Sequence, residues 1–406
     1  MKPKILFVDD DPLILSALQR MLRSVREEWD MEFLPSAEEG LRRMESVAFD
    51  AVVSDMRMPQ MNGQEFLDRV MAIHPQTARI ILSGQSDQEL IVKSLGVTHQ
   101  FLSKPCDPET LKEVLRRTLT VGSLLPDEQI KQLVARISSL PTAPDLYIKI
   151  NAVLQSPEAS ISDVATLVSR DIGMTAKILK VINSAYFGLP QAISSVDHAV
   201  EFLGFHTIKS LILTVGTFSR FPETGILPVE HLWSHSLSTA VAAEKIVRLE
   251  RGNQAMREEA FTAGILHDTG KLILASNFPK LYAQAAGSAK KSARQLVEVE
   301  PQFFGATHAN IGGYLLGLWG LQEAVVHAVS HHHSPGMSAS GRSFGVLTAV
   351  HAANALLHER ETPPQPGSLD KDYLDSIGMV DRIPAWRNAV ASSLPESQSQ
   401  QTPNRP

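Results

Sequence analysis

Phe49-Asp-Ala-Val-Val-Ser-Asp55-Met-Arg-Met-Pro59-Gln-Met-Asn-Gly63 is the stretch on which the fold turns. From Ala51 to Ser54 the chain is short, apolar and rich in β-branched residues, the pattern of a buried strand. The run stops at Asp55, and Pro59 forbids a continued ladder. Asn62-Gly63 supplies a turn that tolerates positive φ. An acidic side chain at the C-terminal end of a buried parallel strand stands where open α/β sheets place their chemistry. Taken alone, Asp55 reads as a carboxylate that merely ends a strand.

Three other places change that reading. Lys4-Ile-Leu-Phe-Val8 is a second apolar strand, followed by Asp9-Asp10-Asp11. Ala78-Arg-Ile-Ile-Leu-Ser83-Gly84 is a third and ends in a hydroxyl. Thr98-His-Gln-Phe101-Leu-Ser-Lys104-Pro105 is a fourth and ends in a lysine. Carboxylates, a hydroxyl and an ammonium at strand ends make one site. Paired carboxylates suit Mg²⁺, which prefers hard oxygen ligands and keeps several waters. Such a metal and Lys104 would neutralise a phosphoryl group carried on Asp55.

With these motifs in order, residues 1–120 resemble the receiver domain of a two-component response regulator. Val8-Asp9-Asp10, Asp55, Met58-Pro59-x-Met61-x-Gly63, Ser83-Gly84 and Lys104-Pro105 carry the resemblance. It implies that Asp55 accepts phosphate from a sensor histidine kinase and that Asp9, Asp10 and Asp55 bind Mg²⁺. It makes Ser83 the switch hydroxyl, Phe101 the aromatic switch position and Asp11 a solvated extra acid.

A chain of 406 residues suggests two or three domains, and an apolar fraction of 43% is enough for ordinary cores. A net charge of −6 without a strongly basic half does not favour nucleic acid. The single cysteine, Cys106, excludes an internal disulfide and fits a reducing compartment. No signal peptide and no long uncharged apolar run is visible, so the expectation is a cytoplasmic protein without membrane contact.

Strands and helices alternate through the first 120 residues, which predicts a doubly wound, five-stranded parallel sheet. Leu13, Leu15, Leu18, Met21 and Leu22 give the first helix an apolar face. Ser36-Ala-Glu-Glu39 and Ser160-Ile-Ser-Asp163 have capping-box spacing. Residues 121–129 form a short apolar junction, read as helical or packed rather than a free tether. From 130 to 360 helical patterns dominate. They include Asp145–Leu154, Asp171–Ser184, Thr207–Phe218, Val229–Leu249, one long helix over Glu258–Ala275, Ala306–Leu316, Gln322–His331 and Phe344–His358, while Asp87–Leu95 is a helical pattern of the first domain. An extension covers 361–390, and 391–406 is a low-complexity, disordered tail.

The second region is rich in histidine. His267-Asp268 is a pairing suited to a divalent metal, with His235 on the preceding long helix and His308 and His331-His332-His333 further on. Residues 126–360 resemble the HDOD domain, a helical relative of the HD metal-dependent phosphohydrolases. Leu140-Pro-x-Ala-Pro144, Asp171-x-Gly-Met-Thr-Ala-Lys177, Asn183-Ser-Ala-Tyr-Phe-Gly-Leu-Pro190 and Gly264-Ile-Leu-His-Asp-Thr-Gly-Lys271 carry that resemblance. It implies a metal site at His235, His267 and Asp268, with Asn354 where active HD enzymes have a carboxylate. A neutral amide is the poorer ligand. His308, His331 and His332 resemble the second-metal ligands of HD-GYP enzymes, whose Gly-Tyr-Pro stretch is missing here. Mn²⁺ or Fe²⁺ would be the ion, and Lys271, one helical turn after His267, could contact a substrate phosphate.

The resulting expectation is a phosphorylation-controlled response regulator whose helical domain signals to a downstream protein partner. Metal-dependent hydrolysis of a cyclic dinucleotide or another phosphodiester is the alternative. Dimerisation is compatible with either. DNA binding is not expected, since no helix-turn-helix follows the receiver-like domain.

Overall fold

The computed structural model describes residues 2–84, 94, 97–125, 128–137, 153, 160–183, 193–202, 227, 229–338, 343–360 and 369–391. The sequence-predicted helices at Asp87–Leu95, Asp145–Leu154 and Thr207–Phe218, the Leu140–Pro144 motif, the Phe187–Pro190 part of the next motif and the tail beyond residue 391 lie outside these residues. Among the described residues no helix is long and apolar enough to cross a membrane.

Five parallel strands form one sheet in the order β2-β1-β3-β4-β5. They are β1 (Lys4–Val8), β2 (Asp30–Leu34), β3 (Ala51–Asp55), β4 (Ala78–Ser83) and β5 (Gln100–Ser103). Helices α1 (Pro12–Met21), α2 (Ala37–Met44), α3 (Gly63–Ile73) and α4 (Pro108–Val121) accompany them. β3 is buried at every residue because helices cover both faces of a parallel sheet. The order reverses between β1 and β3, the switch point where such folds bind their ligands.

Leu13 does not join the apolar face of α1 and is 75% exposed. At about 100° per residue it points roughly 160° away from Leu15, whose face is shared by Leu18 and Leu22. Asp11 is the N-cap, accepting the Leu13 N–H at 2.8 Å. Ser36 caps α2 by accepting from Glu39 N, whereas Ser160 and Asp163 complete both halves of the capping box.

The junction is packed. α4 runs to Val121, a 3₁₀ turn follows, and Leu125 is fully buried. Beyond it the chain is helical. α5 (Glu128–Val134), α6 (Ile161–Val168), α7 (Ile172–Ile182) and a helical segment at 196–202 precede α8 (Val229–Leu249), α9 (Gln254–Leu266) and α10 (Thr269–Asn277). α11 (Pro279–Ser292), α12 (Leu296–Phe304), α13 (His308–Leu318), α14 (Glu323–His331), α15 (Val346–His358), α16 (Lys371–Ser376) and α17 (Ile383–Ala391) complete it. α17 packs on α8 and α15, and its Trp386 is buried and donates Nε1–H to Glu250 at 2.8 Å.

The expected single helix over Glu258–Ala275 is two helices. The break falls at Asp268, whose φ −98°, ψ 12° leaves the helical region. Neighbouring residues on a straight helix point about 100° apart. The break lets His267 and Asp268 face the same point, with Nε2 and Oδ2 3.4 Å apart.

The two halves of the molecule touch. A Cβ on Gly317 of α13 would come 2.5 Å from Val121 of α4. Arg79, at the start of β4, is buried and reaches across to Ala135 O at 2.6 Å, while also donating to the carbonyls of Pro75, Thr77 and Val97.

Candidate functional site

The receiver-like site forms where the register brings strand ends together. Val8 pairs with Ser54 and Asp55 with Leu82, so Asp9 and Asp55 emerge side by side. Lys104, just past β5, places its ammonium 2.6 Å from Asp9 Oδ2 and 2.5 Å from Asp55 Oδ1. Asp55 Oδ2 accepts the backbone N–H of Arg57 at 2.8 Å. Burial pushes the Asp55 carboxyl above its ordinary range, Lys104 opposes this, and the Asp9 charge adds to it. Burial works against the Lys104 charge, but Asp55 and Asp9 outweigh it and hold the lysine up as an ammonium.

Ser83 Oγ is buried at the end of β4 without a hydrogen-bond partner, and Phe101 is buried in β5. Gly63 is required beneath the site, since a Cβ there would lie 2.2 Å from Asp55 O. Asp10 and Asp11 are exposed at the rim. Asp9, Asp10 and Asp55 do not converge on one point. Their oxygens nonetheless suit Mg²⁺, which retains waters and bridges carboxylates that do not touch.

The second site lies among α8, α9, α10, α13, α14 and α15. Its centre is Asp268, 1% exposed, and two convergent groups share it: His235, His267 and Asp268; and Asp268, His308, His332 and His333. Asp268 Oδ2 accepts from Lys271 Nζ at 2.7 Å. Asp268 Oδ1 lies 3.3 Å from His308 Nε2 and 3.9 Å from His332 Nε2. Burial would raise the Asp268 carboxyl, but His267, Lys271 and His308 hold it well below the carboxylate range.

The rings are oriented from behind. His267 Nδ1 bonds Gly264 O at 2.7 Å and His332 Nδ1 bonds Val329 O at 2.8 Å. Each therefore carries its proton on Nδ1 and turns the Nε2 lone pair inward. His308 Nδ1 meets the fully buried Glu300 carboxylate at 2.7 Å, the arrangement that backs metal-binding imidazoles. Burial lowers His267 to about 4 and holds His332 and His333 well below the usual imidazole value. Burial also opposes the His308 charge, but Glu300 and Asp268 raise it.

The donor set fits a borderline first-row ion. Asp268 Oδ1, His267 Nε2 and His332 Nε2 are buried without hydrogen-bond partners, and they face one another. His331 is not part of either group; its Nδ1 turns back to His327 O. His333 takes the place expected of it. Asn354 lies in the site with Oδ1 2.9 Å from His235 Nε2. Lys271, expected near a substrate phosphate, donates to Asp268. Sequence reasoning missed Glu300. Its one signal is an acid eight residues before His308 in a helical run that also carries Glu298.

Residues 5–116 match the response regulator receiver domain and residues 140–335 match the HDOD domain. The chain is a two-component response regulator in which a receiver domain precedes an HDOD domain. Its fold resembles that of the MmoQ response regulator of Methylococcus capsulatus str. Bath, 24% identical with a TM-score of 0.50 over 62% of this chain and 98% of that one. A virulence factor from Campylobacter jejuni subsp. jejuni shares the fold at 17% identity and a TM-score of 0.50, over 69% and 99%. Transcriptional regulatory protein GlrR of Escherichia coli (strain K12) is 28% identical over 178 residues, 43% of this chain and 37% of that protein. An uncharacterized protein of Treponema pallidum (strain Nichols) is 25% identical over 199 residues, 49% and 38%. The chain thus spans well under half the length of these curated relatives.

Proposed function

We propose that Asp55 accepts a phosphoryl group from a sensor histidine kinase and that the HDOD domain passes the state of Asp55 to a downstream protein. The observation that carries this reading is the Asp55–Lys104–Asp9 arrangement at the switch point of the sheet. An Asp55 carboxylate oxygen attacks phosphorus, and the phosphoryl group leaves the kinase imidazole nitrogen. Mg²⁺ held at Asp9, Asp10 and Asp55 would neutralise phosphoryl oxygens. Lys104 moves its hydrogen bond from the Asp55 carboxylate to the phosphoryl group. Ser83, with an unengaged hydroxyl, donates to a second oxygen.

The packed junction and the Arg79–Ala135 contact supply the physical route from β4 into the helices. Kinase and chain would meet in the cytoplasm. The experiment is labelling by a small phosphodonor with Mg²⁺. The wild-type chain takes up one phosphoryl group and Asp55→Asn takes up none; undiminished labelling of that variant refutes the reading.

A second reading, metal-dependent phosphodiester hydrolysis, is favoured by the unpartnered donors around Asp268. Burial of His267, Asp268, His308 and His332 weighs against it, since a catalytic ion needs an open coordination position. Output by protein binding is therefore the stronger reading.

A further inference from the structure

Asp268 joins two potential metal subsites, and the structure treats them differently. In the subsite of His235 and His267, the carboxylate oxygen Oδ2 already carries the Lys271 ammonium at 2.7 Å. His235 Nε2 lies 2.9 Å from the Asn354 amide oxygen, which can only accept. That nitrogen therefore holds a proton and has no lone pair to offer. His267 Nε2 alone remains as a donor, and one imidazole does not hold an ion.

The subsite of His308, His332 and His333 is the reverse. Asp268 Oδ1 and His332 Nε2 are buried and unsatisfied. His308 Nε2 faces His333 Nε2 at 3.2 Å and Asp268 Oδ1 at 3.3 Å, so three ligand atoms crowd one point. Glu300 and Val329 O fix two of the rings from behind. Each unsatisfied buried polar atom carries a desolvation penalty, and an ion removes both at once.

We propose that the chain binds one divalent transition-metal ion, at Asp268, His308, His332 and His333, and leaves the His235–His267 subsite without metal. Three imidazole nitrogens and one carboxylate oxygen make a closed, tetrahedral set suited to Zn²⁺. His308, with Nδ1 directed at Glu300, would offer Nε2 to the ion. The ion ties the α9–α10 break to the start of α13 and the end of α14, which is a structural rather than a catalytic role. The proposal is independent of phosphorylation at Asp55.

The test is metal content by elemental analysis of the full, untagged chain, stripped by chelator and dialysed against Zn²⁺ and, separately, Mn²⁺. One Zn²⁺ per chain is expected in the wild type and in His235→Ala. His333→Ala should fall to zero, with circular dichroism confirming that it stays folded. Asn354→Asp should rise to two, because a carboxylate there adds an anionic ligand that the neutral amide does not supply. Two ions in the wild type overturn the proposal, as does no ion. So does loss from His235→Ala with retention in His333→Ala, or an Asn354→Asp variant that stays at one. Unchanged phosphodonor labelling of Asp55 across all these proteins separates failure here from failure of the phosphorylation reading.

Discussion

The receiver site and the helical site are both built on an aspartate held by a lysine, and their electrostatics run in opposite directions. Lys104 lies 2.5 Å from Asp55, and Lys271 lies 2.7 Å from Asp268. Asp55 is nevertheless pushed above its ordinary range, because burial and neighbouring Asp9 outweigh the lysine. Asp268 is more deeply buried and is held well below that range, because two imidazoles join the lysine around it. The count of cationic and proton-donating groups around a carboxylate, more than its depth, decides whether its charge is welcome. The receiver keeps a buried, partly opposed carboxylate beside an exposed acidic rim. The helices enclose one whose Oδ2 is held by Lys271 and whose Oδ1 has no hydrogen-bond partner.

The sharpest way to break that contrast is to neutralise each carboxylate. In chelator-treated protein, Asp268→Asn should cost about 3–5 kcal/mol in urea unfolding of the helical domain, since Lys271 and His308 lose their buried partner. Asp55→Asn should shift the receiver transition up, since an acid whose folded pKa is raised loses stability once it ionises. Equal destabilisation of both domains would show the two sites to be alike.

Acid sharpens the same comparison. His267 stays neutral in the fold down to about 4, against 6.5 when unfolded. Between those values the unfolded chain takes up the proton and the fold does not. The stability is therefore complete above 6.5 and lost as pH falls toward 4, by about 3 kcal/mol. Over the same fall, protonation of Asp55 relieves the receiver. Urea midpoints at pH 7, 5.5 and 4.5 should drop for the helical domain and hold for the receiver. Parallel pH dependence of the two would count against it.

The smallest effect concerns backbone fit. A Cβ on Gly270 would stand 1.9 Å from His308 O, so Gly270→Ala must push α10 from α13, at about 1–3 kcal/mol. Gly287, in α11, has open space around it, and Gly287→Ala should stabilise by about 0.5–1 kcal/mol. Thermal midpoints moving the same way for both would mean that the α10–α13 approach does not hold the second site together.

The receiver was legible because its site residues follow directly on strands whose apolar runs announce themselves. Asp9, Asp55, Ser83 and Lys104 each stand at the end of such a run, and a parallel sheet aligns its strand ends. The histidines announced themselves as types, but their grouping did not. His331, His332 and His333 are consecutive, and at about 100° per residue they point in three directions. Only the packing of α14 on α13 decides that His332 and His333 face Asp268.

The sequence by itself determined the receiver sheet, the identity of Asp55 and its lysine, and the presence of a helical, histidine-rich second domain. These follow from local periodicity and from motifs whose parts lie next to regular elements. Tertiary structure alone decided the break at Asp268, the buried Glu300 behind His308, the hydrogen bond that engages His235 with Asn354, and the reach of Arg79 to Ala135. Each of these depends on the angle at which two helices, or a strand and a helix, meet. That angle is set by packing between segments distant in the chain, and no local pattern encodes it.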